Sequence, residues 1–191
     1  MIKKIVLVVL AVGSAFLCGC DNSKRIDKAI LIDCIVVTKN DYTFVCISDE
    51  EKNELITIKE ESLEKALKAL ESEHNPEVVL SKLELIAFAE NTESEKYYST
   101  LQQIKNNYAV SPSVYTAVCS NEIIKSLDKA ETVEKSTEQI ILLENKERDV
   151  SSTLLKMNNN LSKSKKSLLY LPYIRDNNGT AVEKVEIMIK K

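Results

Sequence analysis

Two cysteines separated by one glycine, Cys18 and Cys20, are the residues of this sequence best placed for covalent chemistry. A cysteine thiol can carry a lipid group, and such a group changes how a protein associates with a membrane. The pair lies where an apolar run gives way to the charged string DNSKRIDK. The residues around each thiol decide which of them is modified.

The first nineteen residues have the layout of an export signal. Lys3 and Lys4 precede an apolar stretch from Ile5 to Leu17, which is interrupted only by one glycine and one serine. Thirteen residues make a helix of about 20 Å, whereas the hydrocarbon core of a bilayer is about 30 Å thick. A permanent membrane-spanning helix is therefore not expected here.

The run Leu17-Cys18-Gly19-Cys20 resembles a bacterial lipobox, with a large aliphatic residue three positions before the modified cysteine and small residues between them. Cys18 fits badly, because Leu17 directly precedes it. The resemblance implies that the thiol of Cys20 takes a diacylglyceryl group and that cleavage after Gly19 leaves Cys20 as the first residue. Two or more acyl chains hold a protein on a membrane without a spanning helix. The alternative is an ordinary secretory signal with incidental cysteines.

The mature chain expected after cleavage has 172 residues, enough for one domain or two small ones. Removing Lys3 and Lys4 with the signal leaves 24 basic and 29 acidic residues, a formal charge of −5. The charges are interspersed, so nothing favours binding to nucleic acid or to an anionic lipid surface. Three glycines, three prolines and no tryptophan are typical of a compact, helix-rich chain without a flexible linker.

The rest of the sequence contains no constellation of nucleophile, general base or metal ligands. The only histidine, His74, lies at a predicted helix end, and no second imidazole is available to share a metal ion. A histidine there commonly interacts with exposed carbonyls, which is a structural role. Asp49, Glu50 and Glu51 lie between predicted strands and indicate a charged turn. The sequence therefore predicts no enzyme, no catalytic residue, no metal and no cofactor, and it identifies no ligand-binding residue.

The hydrophobic pattern after the signal predicts a mixed α/β fold. Runs rich in Ile and Val alternate with helical stripes in which apolar residues recur at i, i+3, i+4 and i+7. Ser62 is expected to cap the first helix, and Ser120 or Asn121 a later one. We expect a layered sheet with covering helices, an N-terminal hairpin, a helical segment and C-terminal strands. The predicted strands are Ala29–Thr38, Tyr42–Ser48, Leu55–Ile58, Leu83–Ala89, Val114–Cys119, Leu168–Ile174 and Ala181–Ile189.

The chain divides into three predicted parts. Residues 1–19 form the lipoprotein signal peptide, and residues 20–130 form an N-terminal α/β domain. Residues 131–191 contain a helical segment and a hairpin whose turn carries Asn178-Gly179, a pair suited to positive φ. This last part either belongs to the same domain or begins a second one.

Cys34, Cys46 and Cys119 remain after processing, all in strand-like surroundings where a small buried thiol is the usual explanation. An N-terminal hairpin centred on Asn40 would place Cys34 opposite Cys46, and export permits a disulfide between them. A register shifted by one residue would separate the two sulfurs. Cys119 is expected to be free in either case.

Several strings occur in an order that resembles the Ger(x)C family, the lipoprotein C subunit of spore germinant receptors. The similarity covers most of the mature chain, and this chain resembles a shortened form of the family. The strings are GCDNSKRIDKAILIDCIVV, ESLEKALKALES, NPEVVLSKLELIAFAE, VSPSVYTAVCSNEIIKSL and LLYLPYIRDNNGTAVEKV.

This resemblance implies a membrane lipoprotein that takes part in nutrient-triggered spore germination without being an enzyme. It implies a location on the outer face of the cytoplasmic membrane, which is the spore inner membrane. It also implies integral-membrane receptor subunits of the A and B types as partners, and it assigns no ligand-binding residue. Two alternatives remain, namely another envelope lipoprotein such as a solute-binding protein, which would have a deep ligand cleft, and an extracytoplasmic enzyme.

Overall fold

The computed structural model describes residues 29–47, 53–74, 77–161, 166–176 and 180–190. Within these ranges the chain forms eight strands and five helices. The strands are β1 (Ile30–Val37), β2 (Tyr42–Ile47), β3 (Asn53–Ile58), β4 (Val78–Val79), β5 (Leu85–Ala89), β6 (Tyr115–Cys119), β7 (Lys166–Asp176) and β8 (Thr180–Lys190). The helices are α1 (Leu63–His74), α2 (Ser94–Asn107), α3 (Asn121–Lys125), α4 (Ala130–Lys146) and α5 (Leu154–Leu161).

One mixed sheet joins the strands in the order β3-β2-β1-β5-β6-β7-β8, and the short β4 pairs with β1 beside this path. The inner strands β1, β5, β6 and β7 run parallel. The outer strands are antiparallel to their neighbours, with β2 and β3 at one side and β8 at the other. This arrangement confirms the predicted α/β class, the N-terminal hairpin and the pairing of the two C-terminal strands. The predicted turn at 177–179 lies outside the described residues.

Helices cover both faces of the sheet, and each face has its own buried apolar cluster. Helices α1, α2 and α5 pack on what we call the first face, and α3 and α4 pack on the second face. The predicted stripe of α1 is buried against the first face, and the side chain of Ser62 accepts the backbone N–H of Lys65 at 3.3 Å as its cap. Strand β5 is buried along its whole length because it has strands on both sides and helices on both faces.

The hairpin between β1 and β2 has a register one residue away from the predicted one. Its loop contains four residues rather than three, because Val37 pairs with Tyr42. The side-chain oxygen of Thr38 accepts the backbone N–H groups of Asp41 at 3.0 Å and Asn40 at 3.3 Å. Thr38 thus belongs to the turn rather than to the strand, and the longer turn moves the cross-strand partners of residues 34–37 by one position. The irregularity between Ile32 and Cys34 moves the partner of Cys46 by one more.

The prediction that Cys34 lies opposite Cys46 is therefore wrong. Cys34 pairs with Val45, and Cys46 pairs with Ile32. The two cysteines lie in different clusters, Cys34 on the second face and Cys46 on the first, because successive residues of a strand point to opposite faces. Both thiols, like that of Cys119, are buried and free, so the disulfide allowed by the predicted register is not formed.

The three buried thiols act as small apolar side chains. Burial raises the pKa of Cys46 to about 12, and burial also raises the pKa values of Cys34 and Cys119 above their usual range. Cys34 and Cys119 share the second face, but β5 lies between their strands. The two strand spacings alone amount to roughly 10 Å, and Cys119 lies four residues beyond Tyr115, the residue level with Cys34, so the pair is beyond the reach of a disulfide.

Asp33 is the extra residue at an irregularity in β1, where the pairing with β2 shifts between Ile32 and Cys34. Its backbone carbonyl accepts the N–H of Glu84 at 2.8 Å, which links β1 to the residue before β5. Burial and, to a smaller extent, the negative charge of Glu84 raise the pKa of Asp33 to about 6. The carboxylate is therefore held in an environment that favours its protonated form.

Asp33→Asn is expected to stabilise the protein at pH 7. The pKa of Asp33 rises from an ordinary 3.8 to about 6 on folding. Between these two pH values the folded chain binds more protons than the unfolded chain, so the free energy of unfolding falls as the pH rises from 3.8 to about 6. At pH 7 the ionised carboxylate costs at most about 3 kcal/mol, whereas below pH 4 this cost disappears. Urea unfolding at both pH values measures the effect. An equal gain at pH 4 and pH 7 would contradict the explanation, and Glu138→Gln on the exposed side of α4 is the control.

Residues on both sides of the predicted boundary at 130 contribute to the same sheet. Strand β7 pairs with β6, with Val118 opposite Tyr173 and Cys119 opposite Ile174. The backbone N–H of Ser120 also donates to the carbonyl of Ile174 at 2.9 Å. This sharing favours the alternative in which residues 131–191 belong to the same domain as residues 20–130.

Candidate functional site

A cleft of about 570 Å³ opens between α2 and β8, where the parallel strands end. Ligands of α/β proteins usually bind outside the carboxyl ends of such strands, and this volume is within the range of small-molecule sites. The cleft is therefore the candidate functional site. It is lined by Glu90, Thr92, Ser94, Tyr97, Val118 and Tyr173, and by residues 183–188 of β8.

An aromatic stacking contact and a hydrogen bond hold the start of α2 over the end of β5. The ring of Tyr97 stacks on that of Phe88 with a centroid distance of 4.0 Å and an interplanar angle of 15°. In the loop before the helix, the hydroxyl of Thr92 donates to the carbonyl of Val37 at 2.8 Å. These contacts connect α2 to β5 and β1, so the helix forms a well-supported wall of the cleft.

Glu90 and Tyr173 form a hydrogen-bonded pair at the mouth of the cleft. Glu90 directly follows β5, Tyr173 lies near the end of β7, and the Tyr173 hydroxyl donates to Oε1 of Glu90. This hydrogen bond is the main reason why the pKa of Tyr173 rises to about 12, with smaller effects from burial and from the Glu90 charge. The phenol therefore remains a donor at neutral pH, and it orients a carboxylate that faces solvent.

Among the described residues that line the cleft, Lys184 is the only basic one, and acidic groups outside the lining engage its ammonium. Its Nζ lies 2.7 Å from Glu147, 3.4 Å from Asp149 and 5.1 Å from the ring centroid of Tyr170. Since Tyr170 and Lys184 point to the second face, the ammonium is turned away from Tyr173 on the first face. Three glutamates and one lysine give the cleft lining a formal charge of −2.

The β8 wall of the cleft is formed by main chain as well as by side chains. Its six lining residues, 183–188, are consecutive, yet their side chains alternate between the two faces of the sheet. Glu183 and Val185 lie opposite Tyr173 and Leu171 on the first face, whereas the side chain of Lys184 points to the second face. The residues whose side chains point to the second face therefore contribute main-chain atoms to the cleft.

A second groove, of about 530 Å³, lies beside the turn between β1 and β2 and is lined by four lysines and two glutamates. Lys39 pairs with Glu93 at 2.9 Å, and Lys65 pairs with Glu61 at the same distance. Lys96 donates to the backbone carbonyl of Lys39 at 3.1 Å. Three of the four ammonium groups thus have internal partners, so this groove is less suited to a ligand than the cleft.

The structure places the residues considered from the sequence away from the cleft. His74 is the last residue of α1, and no residue of α1 lines the cleft. The cysteines at 34, 46 and 119 do not line it either, and Cys20 lies outside the described residues. Within the ranges that the structure describes, no group of three or more His, Cys, Asp or Glu side chains could hold a metal ion. The arrangement can bind a ligand through carboxylates, aromatic rings and main chain.

Sequence reasoning missed Glu90 and Tyr173. A signal for Glu90 was available, because it follows the buried run Leu83–Ala89 directly, and the carboxyl end of a buried parallel strand is a common place for binding residues. No comparable signal marks Tyr173, which is 83 residues away along the chain and meets Glu90 only in the folded sheet.

The family model of the spore germination protein N-terminal domain matches residues 26–176. The chain belongs to this family. The match covers β1 to β7 and includes Glu90 and Tyr173, and it ends before β8. Comparison with curated proteins and with solved structures gave no match. This match confirms the resemblance to the spore germination family that the ordered strings indicated, and it supports a role in spore germination.

Membership in a germinant receptor family also implies association with a membrane. Across the described residues, no helix is both long enough and apolar enough to cross a bilayer.

Proposed function

We propose that this protein is a lipid-anchored, non-enzymatic subunit of a spore germinant receptor. The match of the spore germination family over residues 26–176 carries this proposal. The lipobox-like run from Leu17 to Cys20 supports the mode of anchoring, because Cys20 alone has a small residue directly before it. The proposed location is the outer face of the spore inner membrane, and the proposed partners are integral-membrane subunits of the A and B types.

A lipid on Cys20 would keep the folded domain close to the membrane. Ten residue steps separate Cys20 from Ile30, the first residue of β1. A fully extended chain of that length spans at most about 35 Å. Confinement within this distance raises the effective concentration of the domain near membrane partners, so a modest protein interface would suffice for assembly.

The chemistry of the cleft supports binding rather than catalysis. Its titratable groups are glutamates, tyrosines and a lysine whose ammonium is engaged by two other carboxylates. Neither a cysteine nor a histidine is among the residues that line it. The hydrogen-bonded Glu90–Tyr173 pair presents charge to a ligand, and none of the described residues that line the cleft is an activated nucleophile.

Deleting the gene is expected to reduce nutrient-triggered germination strongly, since a receptor would lose one of its subunits. Complementation with the wild-type gene and with His74→Ala, at matched protein levels in spores, should restore the response equally. Loss of absorbance and release of dipicolinic acid after nutrient addition measure germination. Unaltered germination of the deletion strain with every tested nutrient would refute the receptor role, and a stable but inactive His74→Ala protein would refute the non-enzymatic role.

A further inference from the structure

We propose that the cleft between α2 and β8 binds a small organic cation, in which a primary ammonium group is attached to a compact apolar body. This inference goes beyond the receptor role. It assigns a chemical class of ligand to the cleft, and it names Glu90 as the residue that recognises the positive charge of the ligand.

Two carboxylates face the cleft, those of Glu90 and Glu183. Glu183 lies opposite Tyr173 in the pair of β7 and β8, so its side chain points to the first face of the sheet, over which the cleft opens. Lys184 and Glu186 point to the second face and contribute main-chain atoms only. The charge that a ligand meets is therefore set by Glu90 and Glu183.

Of these two carboxylates, Glu90 is the one without a cationic partner among the described residues. Nη2 of Arg175 lies 3.2 Å from Oε2 of Glu183, which balances the charge of Glu183 within the C-terminal hairpin. Glu90 is exposed, and Oε1 of its carboxylate accepts the neutral phenol of Tyr173. This hydrogen bond orients the carboxylate and leaves its charge uncompensated. An ammonium group can therefore form a charge-assisted hydrogen bond to a carboxylate that is already oriented.

The hydroxyl groups of the lining favour a ligand that donates hydrogen bonds. Three of the four already donate a hydrogen bond within the protein. They are those of Thr92, Ser94 and Tyr173, which donate to the carbonyl of Val37 at 2.8 Å, to Oε2 of Glu95 at 3.1 Å and to Glu90. The fourth belongs to Tyr97, a side chain that is only 2% exposed. The three hydroxyls offer lone pairs to a ligand, and an ammonium group carries three N–H donors and no acceptor.

The start of α2 does not favour an anionic group in the cleft. The N-terminus of a helix usually attracts negative charge through its free N–H groups. In α2 this charge is already supplied by Glu95, which lies in the first turn and accepts the hydroxyl of Ser94. A ligand carboxylate would meet like charge from Glu95 and from Glu90. The cleft therefore suits a simple amine better than a zwitterion such as an α-amino acid.

The sheet side of the cleft is apolar and suits the body of the ligand. Val118 of β6 belongs to the buried cluster of the first face, and Val185 and Ile187 of β8 pack against that cluster. The ring of Tyr97 lies in the same lining. An apolar body in contact with these side chains is removed from water, while its ammonium group reaches Glu90 at the mouth.

The binding test uses the full chain purified in detergent and three probes with the same apolar body. They are 2-phenylethylammonium, 2-phenylethanol, which has no charge, and free phenylalanine, which adds a carboxylate. Isothermal titration calorimetry at pH 7 should show saturable binding of 2-phenylethylammonium with a Kd of about 1 mM or below. The other two probes should each bind at least about tenfold more weakly, because one lacks the charge-assisted hydrogen bond and the other brings a repelled carboxylate.

Matched variants of the protein locate the charge contact. Glu90→Gln keeps an acceptor for the hydroxyl of Tyr173 but removes the negative charge, so it should weaken binding of 2-phenylethylammonium by about tenfold and leave binding of 2-phenylethanol unchanged. The control, Glu186→Gln, removes an equal charge from β8 on the second face of the sheet and should leave both affinities unchanged. The same pair of variants corrects for probe that enters detergent micelles.

Methyl resonances locate the body of the ligand. The methyl groups of Val118, Val185 and Ile187 should shift when 2-phenylethylammonium binds, because these side chains line the cleft. Those of Val45, which belongs to the buried cluster of the second face, should not shift. General attraction of a cation to an acidic protein would not give this pattern.

Four results would overturn the proposal. The first is the absence of methyl shifts in the cleft at about 10 mM 2-phenylethylammonium. Equal binding of 2-phenylethanol would show an apolar site in which charge has no part, and tighter binding of phenylalanine would show a site for zwitterions. Equal losses in Glu90→Gln and Glu186→Gln would show general attraction between charges. None of these outcomes affects the receptor role, because the experiment contains no other receptor component.

Discussion

Replacing Cys20 with alanine is expected to leave an unprocessed, unlipidated chain and to reduce nutrient-triggered germination strongly. The small residue at position 19 makes Cys20 the thiol that a lipidating enzyme would accept. Loss of the anchor removes confinement at the membrane, and tethering of this kind contributes roughly 10²–10⁴ in apparent affinity. Metabolic labelling with a fatty acid, membrane fractionation and a germination assay measure the three consequences.

Cys18→Ala is the matched control, because it removes the neighbouring thiol and keeps the pattern around Cys20. This variant should be processed, labelled and active like the wild type. The comparison requires spores with equal amounts of each protein, since an unprocessed precursor can be degraded. Lipid retained on the Cys20→Ala protein would disprove the assignment of the modified residue.

Ending the chain at residue 130 is expected to abolish cooperative folding. The truncation removes α4, α5, β7 and β8, leaves the edge of β6 unpaired and deletes nine large side chains from the two clusters. At about 2 kcal/mol for each buried side chain, the loss is about 18 kcal/mol, which exceeds the 5–15 kcal/mol net stability of a typical domain. The nine are Val133, Ile140, Leu154, Met157, Leu161, Leu169, Leu171, Ile174 and Ile189.

Circular dichroism and urea unfolding distinguish one folding unit from two. Residues 20–130 should show no cooperative transition. In the full chain, Leu169→Ala should cost about 2–5 kcal/mol, because Leu169 is 2% exposed, whereas Leu168→Ala, at a side chain 46% exposed, should cost much less. A sharp unfolding transition of the 20–130 fragment would mean that residues 131–191 form a separate unit.

Local patterns predicted most of the secondary structure. The α1 stripe of Leu63, Ala66 and Leu70 is buried as expected, and the caps at Ser62 and Ser120 are present. These features depend on residues within one or two turns of each other, so the sequence contains the necessary information. The α/β class followed from the alternation of such elements.

The register of the first hairpin could not be read in the same way. It depends on whether the side chain of Thr38 bonds within the turn and on an irregularity at Asp33, and each choice changes the pairing without changing the hydrophobic pattern. The observed register, unlike the predicted one, places Cys46 on the opposite face from Cys34 and so excludes the disulfide.

The sequence by itself predicts the export layout and the lipid site at Cys20, and it determined most of the strands and helices, because each of these depends on neighbouring residues. The tertiary structure decided which strands pair, which face each cysteine occupies and where the cleft lies. Glu90 and Tyr173 meet only because β5, β6 and β7 run side by side. Contacts of this kind join distant parts of the chain, so local periodicity carries no information about them.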